Sequence, residues 1–475
     1  MTTVLKPDIC VIGAGSGGLS VAAACAAFGV PVVLIEKGKM GGDCLNYGCV
    51  PSKAMIAAGK QAQSMRRAAK FGIADVDPDI DFRKVNKHIH SVIEAIAPND
   101  SVERFTALGV RVIQAEAKFR DRRTVVAGEF EIRARRFVIA TGSSALVPPI
   151  PGLDKVDYFT NETIFEQTRR PGHLLIIGGG PIGMELAQAH RRLGSEVTVI
   201  EAANALGKED PELAAIALGR LRREGIAIRE QAKVVKVEKR GKTGLRVHVE
   251  SETGRETIDG THLLVAVGRA ANVAGLGLQE AGIAHDRGGI KVTDKLRTSN
   301  RKVYAIGDVA GGLQFTHVAG YHAGLVVRAL LFRLPARENR GIIPRVTFTD
   351  PEIAQVGLTE AEAMKAHGRV SVLRWPYAEN DRAQAERKTE GFIKVLAGKK
   401  GRILGVGIVG ANAGEMINVW ALALSKGLML RDMTAYVPPY PTMTEIGKRA
   451  AIAYFAPATR KPWIRRLIAF LRRFG

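Results

Sequence analysis

The chain has 475 residues, 46% of them hydrophobic, and 69 Lys and Arg against 47 Asp and Glu, for a formal charge of +22. That length points to two to four domains, and with no apolar run of about 18 residues and no apolar signal core in residues 1–8, neither a membrane span nor secretion is expected. Four cysteines, Cys10, Cys25, Cys44 and Cys49, are too few for a disulfide scaffold and favour a reducing cytoplasm.

The first unit is strand, glycine turn, helix, strand. Residues 9–12 are apolar, Gly13-Ala14-Gly15-Ser16-Gly17-Gly18 follows, residues 19–28 read as a helix, and the strand at 32–35 ends on Glu36. Cys10 in the strand and Cys25 in the helix read as core packing. Gly-x-Gly-x-x-Gly in this setting, here Gly13, Gly15 and Gly18, is a dinucleotide signature. Glycines tighten the turn and admit a pyrophosphate, the helix N-terminus offers free N–H groups, and the acid takes a ribose hydroxyl.

Next comes Gly41-Gly42-Asp43-Cys44-Leu45-Asn46-Tyr47-Gly48-Cys49-Val50-Pro51-Ser52-Lys53. On a regular helix the two cysteines would lie roughly 7.5 Å apart along the axis and about 140° apart around it. A disulfide needs Cα atoms within about 7 Å. The segment must therefore bend to join them, and Gly48 permits a bend. A strained, closely spaced pair is labile, as a redox pair should be. Two alternatives stand beside it: a zinc site, for which no second ligand pair is suitably spaced, and two unrelated buried cysteines. Lys53, about one turn after Cys49, could stabilise a thiolate there.

A late strand at 138–142 ends on Thr141-Gly142, and Pro148, Pro149 and Pro151 mark a crossing. The unit then recurs. Residues 174–177 lead into Gly178-Gly179-Gly180-Pro181-Ile182-Gly183, a helix to 193, and a strand at 197–200 ending on Glu201. The last glycine precedes the acid by 18 residues in both copies (18 to 36, 183 to 201), which an internal duplication explains. If the cysteine motif is redox-active, the first site belongs to FAD and the second, Gly178, Gly180 and Gly183, to a nicotinamide cofactor. Glu201 would accept a free 2′-hydroxyl and repel a 2′-phosphate, and Ala202, Ala203 and Asn204 bring no arginine, so NADH is favoured over NADPH. Residues 264–268 end on Gly268, and after Pro344 mixed strands and helices without a phosphate turn form a third domain.

The Cys44–Lys53 segment resembles the active-site motif of the pyridine nucleotide-disulfide oxidoreductases, the family of dihydrolipoamide dehydrogenase, glutathione reductase and mercuric reductase, and matches to that family run from about residue 8 to about 454. The resemblance implies an interchange thiol at Cys44, a charge-transfer thiol at Cys49, and Lys53 by the flavin paired with Glu185. It implies that Tyr304-Ala305-Ile306-Gly307-Asp308 is a second FAD motif, with Asp308 on the ribityl chain. The helix near Thr316-His317-Val318-Ala319 would aim its N-terminus at the flavin, with His317 giving backbone and packing there. Gly268, Arg269 and Asn272 match the close of the nucleotide domain, and residues 348–352 the start of a dimerisation domain. A homodimer is implied, one subunit's Tyr440 segment completing the partner's site.

Two features depart from that family. Thiol-exchanging members carry a His-Pro segment with a Glu five residues after the His; here it reads Tyr440-Pro441-Thr442-Met443-Thr444-Glu445. Tyrosine, with an ordinary pKa of about 10, is a poor base at neutral pH. Mercuric reductases carry tyrosine near that point, but also a further cysteine pair close to the C-terminus, and no cysteine follows Cys49 here. Electron input is therefore expected from NADH through FAD to Cys44–Cys49, with the acceptor, a disulfide, a metal ion or a membrane quinone, left open.

From residue 446 onward there are eight Lys or Arg and no Asp or Glu. Trp463, Ile464, Leu467, Ile468, Phe470, Leu471 and Phe474 fall on one side of a helix, and Arg465, Arg466, Arg472 and Arg473 on the other. Such a helix suits anionic lipid, or else docking on its own dimer. No stacking platform or helix-turn-helix pattern supports nucleic-acid binding. The expected fold is α/β: two interleaved Rossmann-like dinucleotide-binding domains, FAD at 1–150 and 272–341 and NAD at 151–271, an α+β dimerisation domain at 342–458, and the basic helix at 459–475. The expected location is the cytoplasm, with a peripheral contact at the inner face of the membrane.

Overall fold

The structure is a computed structural model and describes residues 3–241 and 244–474. The chain divides into two compact units. One comprises Met1–Arg67, Asp75–Ala202 and Ile228–Glu338, the other Ala68–Ala74, Ala203–Ala227 and Asn339–Gly475.

The first unit is built on a five-stranded sheet in the order Val303–Ala305, Arg136–Ile139, Ile9–Ile12, Val32–Glu36, Val110–Gln114. All its pairings are parallel. The runs Ile-Cys-Val-Ile and Val-Val-Leu-Ile are buried throughout, as strands covered on both faces must be. Alternate side chains serve different cores. Ile9 and Val11 pack beneath the helices Ser16–Ala27 and Thr316–Leu331, while Cys10 and Ile12 face Phe119, Val125 and Ile132 of a small second sheet. The chain leaves Ile9–Ile12 toward one side and later returns on the other. The sheet's switch point, where open α/β sheets bind ligands, is thus at the Gly13 turn.

The same pattern recurs with His173–Ile177 between the parallel strands Glu196–Ile200 and His262–Val265, and the helix Pro181–Arg192 following the turn. Both turn helices start earlier than their glycines suggest. The first spans Ser16–Ala27 rather than 19–28, because Gly17 and Gly18 lie within its first turn. There a side chain is excluded by close packing, not by an unusual dihedral: a Cβ on Gly18 would lie 1.9 Å from the Gly13 carbonyl oxygen.

The second unit centres on an antiparallel sheet, Arg345–Thr347, Glu352–Gly357, Ile403–Gly410, Phe392–Ala397, Ser371–Pro376, with Trp420 and Tyr377 among its buried side chains. A buried lysine, Lys394, is neutralised by Asp210 at 2.9 Å, Glu212 at 2.8 Å and Glu360 at 2.5 Å. After Glu445–Ala453 comes the helix Pro462–Leu471, none of whose residues is buried. Among the described residues no helix is long and apolar enough to cross a membrane.

Candidate active site

The two glycine turns share one geometry. Gly13 and Gly178 have φ of +104° and +111°, and a Cβ on either would lie 2.4 Å from a strand-end carbonyl, Ala140 or Ala266. A Cβ on Gly18 or Gly183 would fall 1.9 or 2.0 Å from the carbonyl oxygen of Gly13 or Gly178. The middle glycines differ in kind: a Cβ on Gly15 or Gly180 meets nothing within 4 Å. The outer glycines close the turn, and the middle one leaves a clear cradle over a helix N-terminus. That is the fit a pyrophosphate requires. The strand-end acids brace both turns. Glu36 accepts from Ala14 N–H at 2.6 Å and Gly38 N–H at 2.7 Å, and Glu201 from Gly179 N–H at 2.7 Å.

The cysteine loop sits against the first turn. Gly41 bridges Gly15, and a Cβ on Gly42 would lie 2.8 Å from the Gly15 Cα. Gly42–Asn46 forms a short helix carrying Cys44, the chain breaks at Tyr47-Gly48, and Cys49 is the first residue of Cys49–Met65. The expected bend is there, and Gly48 leaves room for it: a Cβ would fall 2.8 Å from the Asp43 carboxylate and 3.1 Å from its carbonyl oxygen. Both cysteines are free thiols in the structure. They share a hydrogen bond, which lowers the Cys49 pKa to about 6 and raises that of Cys44. Burial opposes the Cys49 shift, whereas the Thr316 hydroxyl, 3.4 Å from its sulfur, and the charge of Lys53 reinforce it. The N-terminal position on a 17-residue helix adds a favourable dipole. Lys53 Nζ lies 2.8 Å from Glu185 Oε2, the carboxylate being nearly buried.

A clasp joins the strand ends of the two repeats. Arg269 donates to the Ser143 hydroxyl at 2.7 Å and carbonyl at 2.6 Å, and approaches Asp43 at 3.1 Å and Asp308 at 3.9 Å. Ser143 donates to Asp308 at 2.6 Å; burial raises the Asp308 pKa. Thr141 donates to the Asn272 carbonyl at 2.8 Å, and the Asn272 amide returns to Thr141 at 3.0 Å. A glycine is needed at 142 and 268, with φ of +69° and +141°. Gly307 N–H donates to buried His322 Nδ1 at 3.1 Å, whose Nε2 faces Glu338 at 3.0 Å. Ala319 packs between Gly17 and Gly307. His317 stacks on Phe315, ring centroids 5.3 Å apart.

Cys44, Cys49, Lys53 and Glu185 are thus brought together in the first unit, beside the residues expected to hold FAD. Tyr440 and Glu445 belong to the second unit. Tyr440 is 71% exposed, and its hydroxyl donates to Asp381 at 2.9 Å, which raises its pKa further. Thr316, Asp43, Ser143 and His322 with Glu338 escaped the sequence reading as partners. Thr316 lies 267 residues from Cys49, and no local pattern signals that contact.

Two duplicated nucleotide cradles, a dithiol against the first and a charge pair beside it define a two-cofactor flavoprotein disulfide reductase. The chain belongs to the pyridine nucleotide-disulphide oxidoreductases: the family's domain matches residues 7–323 and its dimerisation domain residues 343–451. Mercuric reductase of Bacillus cereus is 36% identical over 450 residues, 94% of this chain and 71% of that protein. Dihydrolipoyl dehydrogenase of Geobacillus stearothermophilus is 34% identical over 461 residues, 94% of this chain and 96% of that one. Among solved structures, the HOCl-induced flavoprotein disulfide reductase RclA from Escherichia coli, also solved as a Cu(II) complex, superposes with a TM-score of 0.83 at 29% identity, covering 94% of this chain and 99% of that one. The chain is accordingly an FAD-dependent NAD(P)H oxidoreductase with an α/β fold of dinucleotide-binding domains and a dimerisation domain.

Proposed function

We propose that the enzyme uses NADH to reduce a thiophilic metal ion, with Cys44 and Cys49 as the thiols that hold it. The observation that carries this is the pair itself: Cys49 is held as a thiolate at neutral pH by Cys44, Thr316 and Lys53. Gly13, Gly15, Gly18, Glu36, Thr141, Gly142, Gly307, Asp308 and Ala319 bind FAD within 1–150 and 272–341. Gly178, Gly180, Gly183, Glu201, Gly268 and Arg269 bind NADH within 151–271. FAD supplies hydride acceptance and delivery of an electron pair to sulfur. Lys53, fixed by Glu185, places positive charge where both a reduced flavin and the Cys49 thiolate need it.

Opening the Cys44–Cys49 bond consumes two electrons and one proton, leaving a thiol at Cys44 and a thiolate at Cys49. A divalent ion caught by the Cys49 thiolate acidifies the neighbouring Cys44 thiol, whose proton passes to water, and the ion is then held by both sulfurs. The disulfide re-forms as two electrons pass on, taking one ion from M(II) to M(0) or two from M(II) to M(I). Metal capture by a thiolate needs no general base. This suits a site whose histidine position is Tyr440, engaged with Asp381 and poor as a base. Mercuric reductases among the relatives and the Cu(II) complex of RclA support the same acceptor class. A second reading, exchange with a dihydrolipoamide-type disulfide, is favoured by the retained Glu445 and by the dihydrolipoyl dehydrogenase relatives. Residues 342–458 would form a homodimer in which Tyr440 faces the partner's thiols. The working location is the cytoplasm, at the inner face of the membrane.

The test is anaerobic NADH oxidation with Cu(II), Hg(II), oxidised lipoamide or a water-soluble quinone as acceptor. Turnover with a metal ion, lost in both Cys44→Ser and Cys49→Ser, is expected. Lipoamide turnover exceeding metal turnover would select the second reading, and quinone turnover that survives both substitutions would remove the thiols from the path.

A further inference from the structure

The helix Pro462–Leu471 and the turn Arg472–Phe474 have no core to belong to. Trp463 is 61% exposed, Phe470 53% and Phe474 74%, and Leu467, Ile468 and Leu471 are exposed with them. Leaving aromatic and branched side chains in water is unfavourable, and a contiguous apolar face of this kind marks a contact surface. At 100° per residue the six apolar side chains Trp463, Ile464, Leu467, Ile468, Phe470 and Leu471 cover about 160° of the helix. Phe470 and Phe474 pack edge to face, ring centroids 5.1 Å apart, and so present one aromatic surface.

The rest of the circumference selects the occupant. Arg465 and Arg466 lie about 100° apart on the opposite side of the helix, Arg472 and Arg473 follow in the turn, and Arg460 and Lys461 precede the helix. No acid occurs after Glu445, so no intramolecular partner of opposite charge lies on this segment. Arg465, Arg466, Arg472 and Arg473 are all exposed. A protein groove would cover the apolar stripe yet leave this cationic rim unaddressed. An anionic bilayer surface answers both faces at once: acyl chains receive Trp463, Leu467 and Phe470, and acidic headgroups flank the arginines. Ten residues give a helix of about 15 Å, half the thickness of a hydrocarbon core, so the helix lies in the interface and does not cross it.

We infer that Pro462–Phe474 is an interfacial anchor for anionic phospholipid, holding the reductase as a peripheral protein on a negatively charged membrane. This deepens the inner-face location proposed above and is independent of which acceptor the thiols serve.

The experiment is flotation of the yellow holoenzyme with vesicles of phosphatidylglycerol and phosphatidylcholine, or of phosphatidylcholine alone. Four chains are compared: full length, a chain ending at Thr459, Leu467→Asp, and Arg465→Ala/Arg466→Ala. Full-length enzyme is expected to float with the anionic vesicles only and to be released by raised salt. The shortened chain and Leu467→Asp should stay at the bottom of the gradient. The double arginine variant should bind about thirtyfold more weakly at low salt, from roughly fivefold per basic residue. Flavin reduction by NADH, measured on the same samples, should be equal in all four, which separates loss of anchoring from loss of the redox reading. Equal flotation of the shortened chain, binding to neutral vesicles as strong as to anionic ones, or no binding by full-length enzyme would overturn the inference. So would conversion of Leu467→Asp to a smaller oligomer in sedimentation, which would assign the apolar face to a second copy of the chain, and so would retention on acidic protein or DNA in place of vesicles.

Discussion

The Gly13 turn and the Gly178 turn have the same backbone, the same two excluded side chains and the same bracing acid, yet they deliver different things to the active site. The difference lies in what each following helix packs against. Ser16–Ala27 lies on Thr316–Leu331: a Cβ on Gly17 would come within 3.2 Å of both Ala319 Cβ and Ile306 Cδ1. The first cradle is thereby joined to the Gly307-Asp308 motif and to Thr316 beside Cys49. Pro181–Arg192 instead lies on the cysteine helix, where a Cβ on Gly59 would be 3.3 Å from the Ala189 carbonyl, and it carries Glu185 to Lys53. One duplicated unit thus encloses a cofactor site, and its copy adds the carboxylate that fixes a charge beside the thiols. Repetition of a fold fixes the cradle, and the neighbours decide its use.

The bluntest way to break that comparison is Gly13→Ala against Gly178→Ala. Each forces a Cβ to 2.4 Å from a carbonyl at positive φ, a strain of about 1–3 kcal/mol before the clash is counted. Gly13→Ala should give colourless protein without the absorbance of bound flavin. Gly178→Ala should remain yellow and lose reduction by NADH while still accepting electrons from dithionite. Loss of flavin from both variants would show that the cradles are not separate sites.

The ion pair distinguishes the copies next. Glu185→Gln removes the carboxylate 2.8 Å from Lys53 and leaves the second cradle intact. Stopped-flow reduction by NADH should slow by roughly a hundredfold, with NADH affinity unchanged. A change in affinity alone would place Glu185 in nucleotide binding and not at the thiols.

Much of this is legible in the sequence. The glycine turns, the 18-residue spacing to Glu36 and Glu201, the bend at Gly48 and the amphipathic helix all follow from local patterns, because each is a demand one segment makes on itself. The Thr316–Cys49 contact, the Arg269–Ser143–Asp308 clasp and the His322–Glu338 pair were not legible. Each joins segments distant in sequence and obeys no periodicity. The turn helices start earlier than the glycines suggest: glycine reads as a turn residue, yet Gly17 and Gly18 are helical and small for the sake of their neighbours.

The bracing acids sharpen the comparison further. Glu201 accepts from the Gly179 N–H of the second turn as Glu36 accepts from the Ala14 N–H of the first, so each acid can be removed in turn. Glu201→Ala should raise the KM for NADH by about tenfold to a hundredfold, the worth of one charge-assisted hydrogen bond, and narrow the preference over NADPH. Glu36→Ala should weaken flavin retention instead. An unchanged ratio of NADH to NADPH efficiency in Glu201→Ala would remove that residue from cofactor discrimination.

The smallest effect tests what the first cradle's neighbour, Thr316, gives to Cys49. In the reduced enzyme Cys49 ionises near pH 6, below its ordinary value of 9, because the thiolate accepts from Cys44 first and from Thr316 in support. A lowered pKa means that the reactive form is half present near pH 6, nearly complete above about pH 7, and lost as pH falls through 6. Alkylation of reduced enzyme by iodoacetamide should therefore be level from pH 7 to 8 and decline about tenfold per pH unit well below 6. The midpoint belongs to the pair, since Cys44 must stay protonated to donate. Thr316→Ala removes the weaker donor, so the midpoint should rise by less than one unit, slowing alkylation a few-fold at pH 6 and hardly at all at pH 8. Cys44→Ala removes the stronger donor and should move it further. If Thr316→Ala shifts the midpoint as far as Cys44→Ala does, the order of the two donors is reversed. If neither variant shifts it, the low pKa comes from the helix N-terminus and Lys53 alone.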